Sequence, residues 1–460
     1  MYDTIIIGGG PAGYLAAERL GHCKKKVLLI EEQFLGGTCL NVGCIPTKTL
    51  LNSAKLYVQA KEAEKFGVKV GETSYEWAVM QNWKNEVVGK LRNGIESQMK
   101  RFGVEVINAR GGILAAASAD PQKIVRSISR DGTSMEHEGK TILICAGSAP
   151  VLPPIPGAKN NPHVVDSTGL LAIEAVPKRL AIIGGGVIGI EFAGLFSALG
   201  AEVTVIEMMD EIVPYMDKEQ APLLRRAIKD VEFKLGCKVE KIDGAVIHFK
   251  DKTGNAEAKE ADLILMAVGR RPVLDTWGAA GIDTNSKGIV VDDRMRTNIP
   301  GIWAAGDVTG KSLLAHSAYR MAEIAVADIL NAPDSNNRWR DNAVPWAVYG
   351  ITEAAGVGFT EQEAAARGIN IIKASLPMKV SGRFLAENSS SGQGAVKVIA
   401  DAETRRILGI HAVGAYATEF IWGGAALIEQ EFRIEDVKQL IFPHPTVSEL
   451  IRDVAWRLTE

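Results

Sequence analysis

The sequence has few cysteines, no long apolar run and almost no excess of charge. Its 460 residues include only five cysteines, too few and too scattered for a secreted disulfide scaffold. No apolar run reaches the roughly 20 residues that a membrane-spanning helix needs. A formal net charge of -3, with no basic block, argues against a nucleic-acid partner. The first residues enter an apolar strand without a basic-then-apolar leader. We therefore expect a soluble, cytoplasmic protein.

Two of the cysteines form a close pair and the others stand alone. Cys145 lies inside a predicted apolar strand, residues 141–146, and is expected to be an inert core residue, whereas Cys23 and Cys237 are given no role. Cys39 and Cys44 lie five positions apart. A metal site is not predicted, because no second Cys/His pair has ligand spacing. In a reducing compartment, such a pair is more often catalytic than structural.

A nucleotide-binding pattern occurs twice along the chain. A glycine-rich turn follows an apolar strand and opens a helix at residues 8–13 and again at 184–189. Each copy continues into a second apolar strand that ends in a glutamate, Glu31 in the first copy and Glu207 in the second. In both copies the glutamate lies 23 residues beyond the first glycine. The fingerprint glycines are Gly8, Gly10 and Gly13 in the first copy and Gly184, Gly186 and Gly189 in the second.

Each position of this pattern has a physical purpose. The first glycine makes a tight turn, the second lets the backbone approach a pyrophosphate, and the third lets helix and strand pack closely. The helix N-terminus faces the anion, and the glutamate accepts hydrogen bonds from ribose hydroxyls. One glycine fingerprint alone is a weak signal. Two complete copies predict two dinucleotide-binding domains.

The repeat extends to a Gly-x-x-Pro exit in both copies, at residues 147–150 and 269–272. Beyond about residue 344, alternating apolar segments favour an antiparallel sheet with helices beside it. We predict an α/β fold with two Rossmann-like domains, the second inserted in the first, and a C-terminal α+β domain. The predicted boundaries are 1–149 and 271–340 for the two parts of the first domain, 150–270 for the second domain, and 341–460 for the third.

Several motifs lie between and after the fingerprints. They are Gly-Gly-Thr-Cys-x4-Cys-Ile-Pro-x-Lys at 36–48, Ala-Gly-Asp-Val at 305–308, Leu-Ala-His at 314–316 and His-Pro-Thr-x-Ser-Glu at 444–449. With both fingerprints they resemble, over essentially the whole chain, the FAD-dependent pyridine nucleotide-disulfide oxidoreductases and, within them, the dihydrolipoyl dehydrogenases. Leu-Ala-His and Glu207 favour the lipoamide branch.

The resemblance implies FAD on the first copy and a nicotinamide nucleotide on the second. Glu207 would repel a 2′-phosphate, and no arginine occurs from Met208 through Leu224, so NAD is favoured over NADP. The implied FAD residues are Gly8, Gly10, Gly13, Glu31, Gly37, Thr38, Lys48, Gly147, Asp307 and Ala315. The implied NAD residues are Gly184, Gly186, Gly189, Glu207 and Gly269.

The resemblance also assigns the chemistry. Cys39 would exchange with substrate and Cys44 would face the flavin; Cys44 stands just before Pro46, where a helix N-terminus depresses the pKa of a thiol. His444 would act as the base, and Glu449 would hold its other ring nitrogen. The resemblance places this histidine across a homodimer interface, which makes the C-terminal α+β domain a dimerisation domain. A further pair, Lys48 and Glu191, would lie near the reactive edge of the flavin.

The implied reaction oxidises protein-bound dihydrolipoamide through the cysteine pair and FAD, with hydride passing to NAD. The partner would be the lipoylated carrier protein of a 2-oxo acid dehydrogenase or glycine cleavage system. An NAD(P)H-dependent disulfide reductase of the glutathione reductase type stays open, as does a non-catalytic FAD-containing assembly subunit. Mercuric reductase would need a further cysteine pair, and none follows Cys237.

The chain departs from the branch at a few positions. Phe442 stands where a histidine is common, Val273 replaces an asparagine, and Thr352 replaces a proline. The helix after Glu419 carries residues 422–424, Trp-Gly-Gly, whose glycines are expected to weaken it.

Overall fold

The computed structural model describes residues 1–115, 123–274, 280–332, 337–388 and 392–459. The chain forms two compact units, each assembled from separate stretches of sequence. The first unit comprises Met1–Thr49, Ala78–Val151 and Gly269–Arg340. The second comprises Leu50–Trp77, Leu152–Val268 and Asp341–Glu460.

The regular elements are numbered here in chain order. The strands are β1 (Tyr2–Ile7), β2 (Val27–Glu31), β3 (Glu105–Asn108), β4 (Arg110–Ala115), β5 (Lys123–Ile128), β6 (Ser134–Ile144), β7 (Ser148–Pro150), β8 (Val164–Val165), β9 (Arg179–Ile183), β10 (Glu202–Glu207), β11 (Val231–Leu235), β12 (Lys238–Asp243), β13 (Val246–Lys250), β14 (Ala256–Glu260), β15 (Leu263–Met266), β16 (Arg270–Pro272), β17 (Ile302–Ala304), β18 (Trp346–Val348), β19 (Ala354–Gly358), β20 (Ile371–Pro377), β21 (Ala395–Asp401) and β22 (Ile407–Val413). The helices are α1 (Pro11–His22), α2 (Gly37–Val42), α3 (Cys44–Glu62), α4 (Trp77–Arg101), α5 (Ser167–Leu170), α6 (Val187–Ala198), α7 (Ala221–Ala227), α8 (Ala315–Ile329), α9 (Glu361–Ala366), α10 (Gly382–Asn388), α11 (Ala417–Glu429), α12 (Ile434–Gln439) and α13 (Glu449–Arg457).

The first unit is built on a sheet of order β3-β2-β1-β6-β5-β4, with β17 also paired to β6. The strands β3, β2, β1, β6 and β17 are parallel, whereas β5 and β4 extend the sheet in antiparallel fashion. In the central register, Ile5 lies between Leu28 and Ile142, and all three are buried. A parallel sheet is covered on both faces, which explains why these strands are continuously apolar.

The second unit repeats this topology. Its parallel sheet has the order β11-β10-β9-β15-β8, so β9, β10 and β15 take the places of β1, β2 and β6. The three-stranded antiparallel sheet β12-β13-β14 follows. The fold class predicted from the duplicated fingerprint, with two Rossmann-like domains, is therefore confirmed.

The second unit also contains the antiparallel sheet β18-β19-β22-β21-β20. Its core includes Val398 and Ile410 from the sheet, Phe420 from α11 and Val454 from α13. This is the α+β domain that the alternating pattern predicted. Helix α11 continues through the two glycines that follow Trp422, whose side chain is 71% exposed. Among the described helices, none has the length and hydropathy required to cross a membrane.

Candidate active site

The cysteine pair joins the two helices formed by the motif at residues 36–48. Cys39 lies in the short helix α2, and Cys44 is the first residue of α3. The two form a disulfide with their α-carbons 4.7 Å apart. Between them, Gly43 turns the chain, and a side chain there would press on the Thr38 carbonyl, 2.9 Å from the added carbon. The sequence therefore brings both sulfurs to the point where one helix ends and the next begins.

Two side chains that sequence analysis missed hold this turn in place. Asn41 donates through Nδ2 to the carbonyl oxygens of Leu35 and Gly37, at 3.1 and 2.9 Å. Arg92, on α4, donates from Nε to Asn41 Oδ1 at 3.0 Å, and its guanidinium lies over the Phe34 ring. Asn41 lies inside the cysteine motif, so its position was a usable signal. Arg92 lies in a separate helix and had none.

Helix α2 packs directly against the first glycine fingerprint. A side chain on Gly37 would come within 2.6 Å of the Gly10 α-carbon. Gly37 also has a φ of +57°, in the left-handed region that favours glycine. Because Gly37 precedes Cys39 by two residues, this contact holds the disulfide motif beside the turn that opens α1.

The outer glycines of both fingerprints are required by the protein itself. Gly8 has a φ of +103°, and an added carbon would lie 2.2 Å from the Cys145 carbonyl oxygen. At Gly184, φ is +109° and the Ala267 carbonyl oxygen would lie 2.4 Å away. Gly13 and Gly189 would bring an added carbon to 1.8 and 2.0 Å from the carbonyl oxygens of the first glycine of each turn.

The middle glycines have a different explanation. Among the described residues other than its chain neighbours, a carbon added at Gly186 would meet no atom within 4 Å, and at Gly10 the nearest is the Gly37 α-carbon at 3.8 Å. Both residues are the N-caps of their helices, α6 and α1. The protein leaves this space open in front of helix N-termini, where an anion is stabilised. The residues therefore fit the pyrophosphate of a dinucleotide in each copy.

The two predicted ribose carboxylates are held in the same way. Glu31 accepts hydrogen bonds from the amides of Gly9 and Gln33, at 2.6 and 2.7 Å. Glu207 accepts from the amides of Gly185 and Met209, at 2.5 and 2.7 Å. A carboxylate has about four acceptor positions, so each retains capacity for ribose hydroxyls.

Asp307 lies in a polar group at the end of the first sheet. Ser148 Oγ donates to Asp307 Oδ2 at 2.6 Å, and Arg270 donates to the Ser148 hydroxyl and carbonyl oxygens at 2.8 and 2.7 Å. Burial raises the pKa of Asp307, against the lowering effects of Ser148 and Arg270. The partly buried carboxylate fits a ligand that donates hydroxyl groups. Sequence analysis missed Ser148 and Arg270.

The remaining predicted cofactor residues occupy turns and helix starts. Gly147 and Gly269 have φ values of +71° and +116°, with space around both. Ala315 is the first residue of α8, where amide groups lack helical partners. Thr38 is exposed in the first turn of α2. Lys48 lies in α3 and is partly buried.

His444 and Glu449 form the predicted pair. Nδ1 of His444 lies 3.0 Å from Glu449 Oε1 and 3.2 Å from Oε2. The histidine side chain is 81% exposed and that of Glu449 only 13%. Partial burial would raise the pKa of Glu449. Hydrogen bonds from the Thr446 amide and from His444 outweigh this effect and hold that pKa below its ordinary value. A charged Glu449 directs Nε2 outward as the free ring nitrogen.

Lys48 and Glu191 belong to different compact units, so their pairing stays a prediction. Glu191 is buried in α6 and accepts a hydrogen bond from the Tyr349 amide at 3.0 Å. Cys145 directly follows β6 rather than lying in a strand; it is buried, and burial raises the pKa of its thiol, as expected for an inert core residue. The described residues contain no cluster of three or more potential metal ligands.

Comparisons with known families and proteins support this geometry. The family model described as pyridine nucleotide-disulphide oxidoreductase matches residues 2–322, and its dimerisation-domain model matches residues 344–455. The chain is 34% identical over 460 residues to the dihydrolipoyl dehydrogenase of Mycoplasma pneumoniae, covering 98% of this chain and 97% of that one. It is 37% identical over 467 residues to dihydrolipoyl dehydrogenase 3 of Pseudomonas putida, covering 99% and 97%.

Solved structures of two other proteins have a similar fold over the whole chain. LpdA from Mycobacterium tuberculosis superimposes with a TM-score of 0.90 and 26% identity over 100% of both chains. The HOCl-induced flavoprotein disulfide reductase RclA from Escherichia coli gives 0.84 and 29% identity, with 99% of each chain covered.

A disulfide beside one dinucleotide fold, in a chain with a second such fold, defines a nucleotide-dependent disulfide oxidoreductase. The chain belongs to the pyridine nucleotide-disulphide oxidoreductase family. The predicted family is thereby confirmed, as are an oxidoreductase activity and the cofactors FAD and NAD. The matched dimerisation domain supports the predicted homodimer.

Proposed function

We propose that the chain is a dihydrolipoyl dehydrogenase that oxidises protein-bound dihydrolipoamide to lipoamide and reduces NAD⁺. The observation that carries this proposal is the Cys39–Cys44 disulfide, held against the first nucleotide turn by the contact between Gly37 and Gly10. Full-length relatives that carry the name dihydrolipoyl dehydrogenase support the choice of substrate. Bound FAD supplies the hydride chemistry that side chains cannot perform.

The cysteines exchange with the substrate dithiol. A substrate thiolate attacks the Cys39 sulfur, the bond between Cys39 and Cys44 breaks, and Cys44 leaves as a thiolate. The second substrate thiolate then attacks the substrate sulfur of the mixed disulfide, which releases lipoamide and the Cys39 thiolate. Cys44 is suited to be the leaving group because the N-terminus of α3 stabilises its negative charge.

His444 accepts a proton from the substrate dithiol. Its Nδ1–H donates to Glu449, so Nε2 is the acceptor, and the charged carboxylate stabilises the imidazolium that forms. In the homodimer, we assign His444 to the disulfide of the other subunit. Activity would then require the dimer.

Cofactor binding follows the duplicated domains. We assign residues 1–149 and 271–340 to FAD, with Glu31 at the ribose, Asp307 at the ribityl chain and Lys48 with Glu191 near the flavin ring. We assign residues 150–270 to NAD, with Glu207 at the ribose, and residues 341–460 to the dimer interface. The space in front of Gly10 and Gly186 supports both pyrophosphate positions.

The partner in this proposal is the lipoylated carrier protein of a 2-oxo acid dehydrogenase or glycine cleavage system. Such a carrier presents the dithiol on a mobile arm. The buried thiols of Cys145 and Cys237 are compatible with a reducing cytoplasm, where we place the enzyme.

Neither alternative is favoured. A glutathione-type reductase that uses NADPH would have to accommodate a 2′-phosphate beside Glu207, whose carboxylate is fixed by two backbone amides. A non-catalytic subunit would have no use for the disulfide or for the bond between His444 and Glu449.

A steady-state assay tests the proposal. We expect purified enzyme to reduce NAD⁺ with free dihydrolipoamide about 100-fold more efficiently than NADP⁺, because a 2′-phosphate would place like charge against Glu207, which costs several kcal/mol. The Cys39→Ser variant is the control and should be inactive. Efficient NADPH-dependent reduction of glutathione disulfide, without dihydrolipoamide turnover, would overturn the proposal in favour of the glutathione-type reductase.

A further inference from the structure

A buried lysine of the C-terminal sheet is bonded to the segment that follows the NAD ribose carboxylate. The side chains of Lys397, on β21, and Asp217 are each 1% exposed. Nζ of Lys397 lies 3.0 Å from both carboxylate oxygens of Asp217, 2.9 Å from Glu219 Oε2 and 2.8 Å from Glu361 Oε2. Burying such charges is costly unless they are paired, so the loss of Lys397 would leave the buried Asp217 carboxylate without this counter-charge.

Residues 207–219, here called the nucleotide loop, connect this ion pair to the second fingerprint. The loop begins at Glu207, whose carboxylate accepts the Gly185 amide. It then returns to the same residue, because the Val213 amide donates to the Gly185 carbonyl at 2.8 Å. Asp217 follows four residues later. The loop thus contacts the fingerprint at one end and Lys397 at the other.

The middle of the loop is strained. Val213 is fully buried and has a φ of +45°, a conformation that is costly for a β-branched residue. Such strain persists only where the surrounding structure fixes the backbone. The residues beyond Val213 are fixed by the C-terminal domain: Gln362 Nε2 donates to the Met216 carbonyl at 2.8 Å, and the Glu361 amide donates to Asp217 at 3.2 Å.

We propose that Lys397 is a positioning residue for the NAD site, which it holds through Asp217 and the strained nucleotide loop. This inference rests on the proposed NAD site at Gly186 and Glu207. Lys397 touches neither cofactor nor substrate in this role. Its contribution is to keep the bond between the Val213 amide and the Gly185 carbonyl, and with it the glycine turn and the Glu207 carboxylate, in place.

The chain offers a matched control. Lys373 Nζ also binds Glu219 and Glu361, at 3.0 and 2.6 Å, but its bonds lie at the surface, and Asp217 is not among these partners. Lys373→Met removes a surface bond to Glu219 from the same cluster but leaves the bond from Lys397 to Asp217, which is the contact proposed to anchor the loop. Lys397→Arg keeps the charge and is expected to restore part of any lost affinity.

The test uses the purified flavin-containing enzyme and two rapid-mixing measurements. Flavin reduction is followed against NADH concentration and, separately, with dihydrolipoamide. For Lys397→Met we expect the apparent Kd for NADH to rise roughly tenfold, a typical coupling between distant sites, while the dihydrolipoamide rate stays within about twofold. Lys373→Met should match the wild type in both measurements. An equal rise in Kd for both variants, or parallel loss in both measurements, would overturn the proposal.

A milder variant covers the case in which Lys397→Met does not fold. Gln362→Ala removes a single hydrogen bond to the nucleotide loop and should raise the Kd for NADH about threefold, the effect of one net hydrogen bond. An unchanged Kd would again count against the proposal. If wild-type flavin is reduced by NADH but not by dihydrolipoamide, the proposed substrate fails, and the NADH titrations still decide the role of Lys397.

Discussion

Gly10 and Gly186 open helices α1 and α6 with nearly the same backbone conformation, φ −71° and ψ −170° in the first and φ −72° and ψ −178° in the second. Any residue can adopt these angles. Neither glycine is therefore required by its backbone, and a side-chain carbon on either one would clash with none of the described protein atoms. The shared feature is open space before a helix N-terminus, so a ligand is the physical reason for both glycines.

The Gly186→Ala variant should therefore lose NAD binding and keep its fold. The added methyl group enters the space assigned to the pyrophosphate, and we expect the KM for NAD⁺ to rise at least tenfold, with a change in unfolding free energy of no more than about 1 kcal/mol. Steady-state kinetics and thermal unfolding measure the two effects.

Two neighbouring glycines provide the controls. Gly189→Ala would place a methyl group 2.0 Å from the Gly184 carbonyl, so it should destabilise the protein by about 1–3 kcal/mol. Gly194→Ala adds a methyl group that, outside its own helix, meets no atom of the described residues within 4 Å, and it should leave the KM unchanged. If Gly186→Ala bound NAD⁺ normally, the assignment of the pyrophosphate would be wrong.

Local patterns predicted the parts of this protein that local chemistry determines. The strand-turn-helix units at Gly8 and Gly184 were predictable because each glycine has a distinct steric reason. Helix α2 was not predicted, since six residues are too few for a periodic signal. The bond from Arg92 to Asn41 spans 51 residues of sequence, and such partners are decided by tertiary packing.

The ion pair between Lys397 and Asp217 shows the same limit more strongly. Their separation is 180 residues, and nothing in either local sequence indicates a partner. The alternating pattern of β21 predicted a strand but not a buried lysine within it. By contrast, His444 and Glu449 are five residues apart, and the structure has them in contact at 3.0 Å, as the resemblance implied. Their catalytic role stays a prediction.

Removing one sulfur tests the assignment of the disulfide. Cys44→Ser should purify with FAD, because Gly10 and Glu31 are unchanged. On two-electron reduction it should lack the long-wavelength absorbance that a thiolate beside the flavin produces. Anaerobic titration with dithionite measures this spectrum. Cys39→Ser retains Cys44 and serves as the matched control. A persistent band in Cys44→Ser would place the flavin-side thiolate at Cys39 instead.

The ion pairs of Lys397 predict how stability depends on pH. Hydrogen bonds from Lys397 and Lys373 lower the pKa of Glu219, and those from Lys373 and Lys397 lower that of Glu361. Burial would lower the pKa of Lys397, but the carboxylates of Glu361, Glu219 and Asp217 outweigh this effect and raise it. Depressed carboxyl pKa values stabilise the fold above about pH 4.3, and this contribution is lost as the pH falls further. A raised lysine pKa stabilises the fold below about pH 10.4, and this contribution is lost as the pH rises through the folded value.

The stability difference between wild type and Lys397→Met should therefore form a plateau. We expect about 3 kcal/mol between roughly pH 5 and pH 10, the cost of leaving buried charge unpaired, with a decline on either side. Chemical denaturation at several pH values measures it. The titratable groups around Lys397 are Asp217, Glu219, Glu361, Lys373 and His411. A difference that increased steadily with pH would show that another group controls the transition.

The role of His444 is best separated from flavin chemistry by comparing two reactions of one variant. His444→Ala removes the proposed proton acceptor for the dithiol, and we expect dihydrolipoamide turnover to fall by about 10²–10⁴-fold, the usual contribution of a general base. Oxidation of NADH by an artificial acceptor does not use the dithiol and should stay within about twofold of the wild type. Steady-state assays of both reactions measure the contrast.

A substitution of Glu449 should reduce dihydrolipoamide turnover by an intermediate amount, which a purely structural role of the pair would not produce. Glu449→Gln keeps a hydrogen-bond acceptor for Nδ1 but removes the charge, so its dihydrolipoamide turnover should fall between the wild type and His444→Ala. His22, an exposed histidine at the end of α1, is the control, and His22→Ala should leave both reactions unchanged. A proton acceptor is needed by the dithiol half of the reaction and not by the oxidation of NADH. Equal losses in the dithiol and acceptor assays for His444→Ala would therefore mean that the histidine maintains the fold and is not the base.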